Sequence, residues 1–346
     1  MYLTFRSLVE DAPGRAFKQA FAHGWPGWSE WMRKRHKPKP DDLRDARLAI
    51  RRHMPEFETL WETWVAQCGD EEDAALFLSF WSPPRYLVHC SQAVIDGPDG
   101  PMLIRNYDLD PHLNESTLLA TKWRGRRVAG MVEGIVGLAD GMNDAGLAAS
   151  LTFGGRTVSA PGFGIPLIIR YILETCADVP QALEALRRIP SHMSYNVTVL
   201  DGTGAFATVY LAPDRPAIVT RTPYTTNHQL GVEWPRHGRF SRTKERAEHL
   251  EQLFSDPTLS PEALRHAFLT APLANTGYDK GFGTIYTSLY RPRQRAVSLF
   301  WMDGSREDFS LVAMEPRLRK IRFTASGSYA VPGHAGDPLT YLPHHM

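Results

Sequence analysis

The chain has 346 residues, 43% of them hydrophobic and 22% charged, which is enough apolar material for a full core and, at roughly 150 residues per domain, about two domains. That balance excludes a disordered chain, a collagen-like repeat and a small disulfide scaffold. With 39 basic against 38 acidic residues, no general attraction to nucleic acid or anionic lipid arises, and neither is expected as a partner.

The first 89 residues have their own texture. Six of the nine tryptophans fall there (Trp25, Trp28, Trp31, Trp61, Trp64 and Trp81), and helix formers dominate 41–80. Leu43, Ala46, Arg47 and Ile50 recur at helical spacing and predict a helix over Asp41 to Met54; Phe57, Leu60, Trp61 and Trp64 predict a second over Pro55 to Cys68. Residues 1–89 are therefore read as a small helical layer whose tryptophans pack on the main body. The basic run Arg33 to Pro40 reads as a solvated helix end stopped by Pro38 and Pro40.

From Tyr86 the pattern turns to strands and tight turns. Tyr86 to Ile95 and Pro101 to Tyr107 flank the turn Gly97-Pro98-Asp99-Gly100 and predict a hairpin, with Cys90 on one strand and Arg105 on the other. Arg127 to Gly137 and Gly146 to Phe153 read as strands around a turn at Asp140-Gly141-Met142-Asn143. Helices are predicted over Ile165 to Ala177 and Val179 to Ile189, and strands over Tyr195–Asp201, Ala205–Ala212 and Ala217–Thr222. Helices follow at Ser241 to Phe254 and Ser260 to Thr270, then a hairpin of Thr284–Tyr290 and Ala296–Asp303. This order predicts an α+β fold of two antiparallel sheets covered by helical layers.

Cys68, Cys90 and Cys176 are an odd number of cysteines, so a reduced compartment is expected rather than a disulfide framework. No apolar run approaches the ~18 residues that span a bilayer, and the N-terminus carries no signal-length apolar stretch; a cytoplasmic protein is expected. P-loop, HExxH, paired CxxC and GxGxxG patterns are absent, so neither cofactor nor metal is expected; His344-His345 reads as a solvated tail.

The chemistry-bearing residues gather around Cys90. By itself a cysteine on a buried strand is a small packing residue. The hairpin register, however, brings Arg105-Asn106-Tyr107-Asp108 back past it, and a guanidinium beside a thiol favours the nucleophilic thiolate, while Asp108 is suited to hold an ammonium group.

Cys90-Ser91, Ile104-Arg105-Asn106-Tyr107-Asp108, the run Ala139 to Leu147, Thr225-Thr226-Asn227-His228 and Ser241-Arg242, in that order over 90–304, resemble the N-terminal-nucleophile (Ntn) hydrolases. More narrowly the set resembles the penicillin acyltransferase and carcinine hydrolase family, related to choloylglycine hydrolases and penicillin V acylases. The resemblance implies a four-layer αββα sandwich. Residues 1–89 would be a propeptide or α-chain retained on a catalytic chain 90–346. It also implies self-cleavage between His89 and Cys90, after which the freed α-amine is the base for its own thiol; an α-amine titrates near ~7.7–8.0, close to working pH.

By the same resemblance Cys90 is the nucleophile, Asp108 the carboxylate on its amine and Arg105 the guanidinium beside the thiol. Asn227 matches the side-chain donor to the oxyanion and Thr152 the backbone donor, while Ser241 and Arg242 match a pair tied to cleavage or site electrostatics. Each has a plainer alternative: Arg105 in a surface cross-strand pair, Asn227 as a turn residue, Ser241 and Arg242 as a helix cap and a solvated cation. Asn143 reads as a structural turn residue. The chain departs from the family at His89, where glycine is common, and at Ser91, where threonine is usual.

The expected activity is hydrolysis of a linear amide through an acyl-thioester on Cys90. One alternative is transfer of the acyl group from a CoA thioester or amide to an amine. Another keeps Cys90 internal with His228 or His89 as base, and a third is an uncleaved, non-catalytic sandwich that binds a small molecule. Loops near Tyr107 to Trp123, Phe153 to Phe163 and Gln229 to Phe240 are expected to line the pocket and to favour an aromatic or acidic substituent; a homo-oligomer is left open.

Overall fold

The computed structural model describes residues 1–35, 39–86 and 89–325. In chain order its elements are β1 (Tyr2–Glu10), α1 (Arg15–Arg35), α2 (Asp42–His53), α3 (Glu58–Gln67), α4 (Glu72–Ser79), β2 (His89–Ile95), β3 (Met102–Leu109), β4 (Thr117–Thr121), β5 (Val128–Glu133), β6 (Gly137–Asn143), β7 (Ala148–Phe153), α5 (Ile165–Thr175) and α6 (Val179–Arg188). There follow β8 (Tyr195–Leu200), β9 (Phe206–Ala212), β10 (Arg215–Thr220), β11 (Tyr224–Thr225), α7 (Pro235–Phe240), α8 (Thr243–Ser255), α9 (Pro261–Phe268), β12 (Gly283–Arg291), β13 (Ala296–Phe300), β14 (Arg306–Ser310) and β15 (Arg317–Arg322).

The strands form two stacked sheets, one of nine strands in the order β10-β9-β8-β7-β6-β5-β4-β1-β15 and one of six in the order β11-β2-β3-β12-β13-β14. Polar side chains stitch them together: Gln92 on β2 donates to Thr198 Oγ1 on β8 (2.8 Å) and accepts from Ser150 Oγ on β7 (2.6 Å). Helices α5 and α6 cover the large sheet, their apolar stripes fully buried. Helices α8 and α9 cover the small one, with Leu250, Leu264 and Phe268 packed on Ala93 and Ile104. Asp178 and Ser260 cap α6 and α9 through the N–H groups of Gln181 and Ala263.

The N-terminal segment differs from the expected helical layer. Helices α2 and α3 occur as predicted, and the tryptophans do pack on the body: Trp61 and Trp64 are buried, and Trp64 lies 5.5 Å edge-on to Trp123. Residues 2–10, however, form a strand inside the large sheet, antiparallel to β15 and parallel to β4. The large sheet is therefore not wholly antiparallel, and β1 is paired into it along both edges. Of the basic run, Arg33 to Arg35 end α1, with Lys34 in an exposed ion pair to Glu30; 36–38 lie outside the described residues, as does His344-His345.

The predicted turn at Asp140 to Asn143 is a second correction, because these residues are the end of β6. Gly141 faces Gly130 on β5 so closely that an added Cβ would lie 3.1 Å from the Gly130 Cα, and Asp140 is drawn inward by buried partners. The reversals fall instead at Gly134–Ile135 and Gly146, where φ is positive. Asn143 is structural, as read: its Nδ2 donates to the carbonyls of Leu173 and Cys176 at the end of α5.

Candidate active site

Strand alternation sorts the residues around Cys90 onto two faces. Antiparallel pairing sets His89 opposite Asp108, Cys90 opposite Tyr107 and Gln92 opposite Arg105. Cys90, Gln92, Arg105 and Tyr107 thus share the face turned to the large sheet, while His89, Ser91 and Asp108 share the face turned to α7 to α9. The thiol lies in the sealed layer between the sheets, and Cys90 is 0% exposed.

Arg105 is fully buried there, not a surface cross-strand residue. Its Nη2 donates to Cys90 Sγ at 3.1 Å, its Nε to Leu151 O at 3.0 Å and its Nη1 to Tyr286 Oη at 3.0 Å. Asp140 is its counter-ion and also accepts from Tyr286 (2.9 Å) and Tyr290, while the Tyr107 ring lies under the guanidinium at 4.7 Å. Sharing a charge among that many partners offsets the cost of burying it.

Burial pushes the Cys90 thiol up to about 12, with Arg105 pulling the other way. Burial also raises Asp108 to about 6, against the opposing pull of Arg246 and a 2.7 Å hydrogen bond from Thr284 Oγ1. Held there, the thiol is neutral at pH 7, and a base is required before sulfur becomes nucleophilic. Of the two histidines considered as a base, His228 has its Nδ1 2.8 Å from Thr243 Oγ1, and His89 projects to the face opposite the thiol.

Asn227 comes to Cys90 on the segment after β11. Its Oδ1 accepts from the Cys90 backbone N–H (3.2 Å) and from Arg246 Nη2 (2.6 Å), and its Nδ2 donates to Phe153 O (3.2 Å). Two donors on one atom and a carbonyl on the other fix the amide orientation, since a flip would set its NH₂ against both donors. The backbone beneath it is pinned: Asn227 N donates to Thr243 Oγ1 (2.8 Å), and Thr152 Oγ1 donates to Thr226 O (2.8 Å). Thr152 thus lies beside the site, at the end of β7 before Phe153.

Arg246 is the site residue that the sequence reading missed. Buried at 3% exposure, it donates to Cys90 O (2.7 Å), Ser91 Oγ (2.8 Å), Asn227 Oδ1 and Ser241 O (2.9 Å), and so ties β2, the 227 segment and the start of α8 into one cluster. A sequence signal existed, since Thr243, Arg246 and Leu250 recur at helical spacing as the buried stripe of α8. Arg242 sits one turn earlier, its partly exposed side chain paired with Glu245 and its backbone left-handed at φ 51°. Ser241 contributes its carbonyl, not its hydroxyl, to Arg246; its Oγ reaches Gly238 O at 3.5 Å.

Residues 95–306, more than half of the chain, match the family described as AAT: Acyl-coenzyme A:6-aminopenicillanic acid acyl-transferase. The matched stretch holds Arg105, Asp108, Thr152, Asn227, Ser241, Arg242 and Arg246, and begins after His89 and Cys90. Among solved structures, a mutant of the conjugated bile acid hydrolase from Clostridium perfringens is similar over 69% of this chain and 99% of its own, at 14% identity and a TM-score of 0.49. Penicillin V acylase from Agrobacterium tumefaciens is similar over 64% of this chain and 86% of its own (14% identity, TM-score 0.41). The Caenorhabditis elegans ortholog of N-acylethanolamine-hydrolyzing acid amidase is similar over 59% and 93% (16% identity, TM-score 0.42). No curated protein matches.

Proposed function

The chain belongs to the acyl-coenzyme A:6-aminopenicillanic acid acyl-transferase family of Ntn hydrolases, and from that premise we propose that it is a self-processed cysteine amidohydrolase, cutting a linear amide through an acyl-thioester on Cys90. One observation carries the reading: both reactive atoms of Cys90 are held, the sulfur by Arg105 and the backbone nitrogen by Asn227. A packing cysteine needs neither grip.

In the proposed maturation Sγ adds to the His89 carbonyl carbon. The bond from that carbon to the Cys90 nitrogen breaks, the thiol proton passes to the departing nitrogen, and an α-amine and a thioester result. Water then cleaves the thioester to the His89 carboxylic acid and the free thiol. The α-amine replaces the missing base: unprotonated, it takes the thiol proton, and Asp108 opposite His89 steadies its protonated form. Asn227 Nδ2 and the Thr152 backbone N–H are the proposed oxyanion donors, and Arg105 offsets charge on sulfur. Two-sided pairing of β1 supports retention of residues 1–89 after the cut.

The family's description favours a second outcome for the same thioester, attack by an amine instead of water. Supplying an acyl thioester with and without an amine, and weighing the products, separates transfer from hydrolysis. The maturation test is intact mass: fragments 1–89 and 90–346 are expected, the larger beginning Cys-Ser-Gln-Ala. A whole 39.0 kDa chain with an unreactive thiol would instead leave a binding sandwich.

A further inference from the structure

Asn196 stands on β8 directly opposite Thr152 on β7, and both side chains reach the segment that follows β11. Asn196 Nδ2 donates to the carbonyl oxygens of Thr226 and His228, each at 2.9 Å, so one amide holds the two peptide carbonyls that flank Asn227. Thr243, the first residue of α8, takes the same segment through a single hydroxyl. Its Oγ1 lies 2.8 Å from Asn227 N, from Thr226 Oγ1 and from His228 Nδ1, and it accepts the Asn227 N–H. Arg246, one turn along α8 on the same buried stripe, holds the side-chain end of that residue at Asn227 Oδ1.

This arrangement is costly for the fold alone. Asn196 and Thr243 are both 0% exposed, and Asn196 Oδ1 has no hydrogen-bond partner. An unmet buried acceptor destabilises, whereas an apolar side chain would fill the layer between the sheets without that penalty. Turning the amide over is no remedy, because its oxygen would then face two carbonyl oxygens. What Asn196 supplies is the orientation of the backbone on either side of Asn227.

We propose that Asn196 and Thr243 are positioning residues for acyl transfer to Cys90, holding the backbone of residue 227 so that its side-chain amide meets the oxyanion of the reacting acyl group. The proposal rests on the amidohydrolase reading, in which Asn227 Nδ2 is an oxyanion donor. Neither residue touches the reacting atoms. A preorganised donor acts only within hydrogen-bond reach of the developing charge, so a small shift of its backbone forfeits much of its effect. Loss of either hold therefore slows the chemical step and leaves affinity for the acyl donor in place.

The test uses the matured protein and p-nitrophenyl acetate, isotope-labelled at its carbonyl carbon. Cys90 Sγ adds to that carbon, the thiol proton passes to the α-amine, and p-nitrophenolate leaves with the electron pair of the broken C–O bond, so that acetyl remains on sulfur. Stopped-flow absorbance reads the acylation rate, and intact mass locates the acetyl group on the chain beginning at Cys90. Infrared spectroscopy reads the labelled thioester carbonyl, whose stretching frequency falls when oxyanion donors polarise it. Asn196→Leu and Thr243→Val are each expected to lower the maximal acylation rate about thirtyfold, while the half-saturating ester concentration stays within about twofold. In both, the carbonyl band moves to higher frequency, which a merely structural role would not produce. Thr243→Ser keeps the hydroxyl and should retain the wild-type band, with a rate within about threefold.

Melting temperature identifies the variants that fold, and either Asn196→Leu or Thr243→Val decides alone. A folded variant that fails to mature, while Thr243→Ser matures, supports the proposal, since the same donor serves the cleavage. A wild-type rate or an unshifted band in a folded, matured variant would overturn the positioning role while acetylated Cys90 leaves the amidohydrolase reading standing. If neither variant folds, the two residues serve the fold and the proposal is likewise overturned. A wild-type chain that stays uncut, or is cut and takes no acetyl group on Cys90, would overturn the underlying reading, and the positioning role with it.

Discussion

Arg246 offers the sharpest test of how the site is held, because its guanidinium serves four acceptors on three segments of chain. Methionine at this position keeps an unbranched apolar stem and removes the guanidinium with its charge. Ser91 Oγ can rotate toward another donor and Asn227 Oδ1 keeps the Cys90 N–H, so the loss falls chiefly on the Cys90 and Ser241 carbonyls. At about 1–3 kcal/mol for each buried acceptor deprived of its donor, two give roughly 2–6 kcal/mol. Release from the desolvation cost of a buried cation offsets part, leaving about 3 kcal/mol. In a Cys90→Ala background, which removes the proposed nucleophile, Arg246→Met should lower Tm by roughly 4 °C, as followed by circular dichroism. With Cys90 present, loss of the clamp on Asn227 should slow appearance of the 90–346 fragment about a hundredfold. If Arg246→Met melts with its parent and matures at the wild-type rate, the cluster does not hold the site as argued.

Arg242→Ala, by contrast, removes a partly exposed ion pair with Glu245; it should stay within about 1 kcal/mol of wild type in urea unfolding and mature at an unchanged rate. Cys90→Ala should run as one 39.0 kDa chain in intact mass and yield no acyl-enzyme, whereas a Cys90→Ala chain that still matures would refute the proposed nucleophile. Glu133, which accepts from Tyr107 Oη, is raised to about 8 by burial, so the folded chain retains a proton there that the unfolded chain loses near 4.5. Its contribution to stability therefore falls as pH rises from about 4.5 to about 8, at ~1.4 kcal/mol per unit, and Glu133→Gln should flatten that part of the urea-stability profile measured between pH 5 and 8.

Much of the fold was legible in local pattern. The Cys90 hairpin, both helix pairs and the strand run 195–220 follow from apolar period and turn residues, which report on a segment's own neighbours. The errors fall where partners distant in sequence overrule local composition. Asp140-Gly141-Met142-Asn143 has turn chemistry, but Arg105, Tyr286 and Tyr290 converge on the Asp140 carboxylate and hold the segment extended. Strand β1 is recruited by β4 and β15, the latter more than 300 residues away, and no pattern within residues 2–10 announces that pairing.

The candidate site divides along the same line. Cys90, Arg105 and Asp108 could be named from sequence because strand alternation and a short hairpin dictate their register, and Asn227 because its motif resembles a known family. That Arg246, not Arg242, faces Cys90 was decided by the rotation of α8 against the small sheet. That His89 stacks on His237 was decided by where α7 docks. Side-chain identity sets what a residue can do; which other groups surround it, and therefore its charge state and orientation, depends on contacts between segments that local sequence cannot encode.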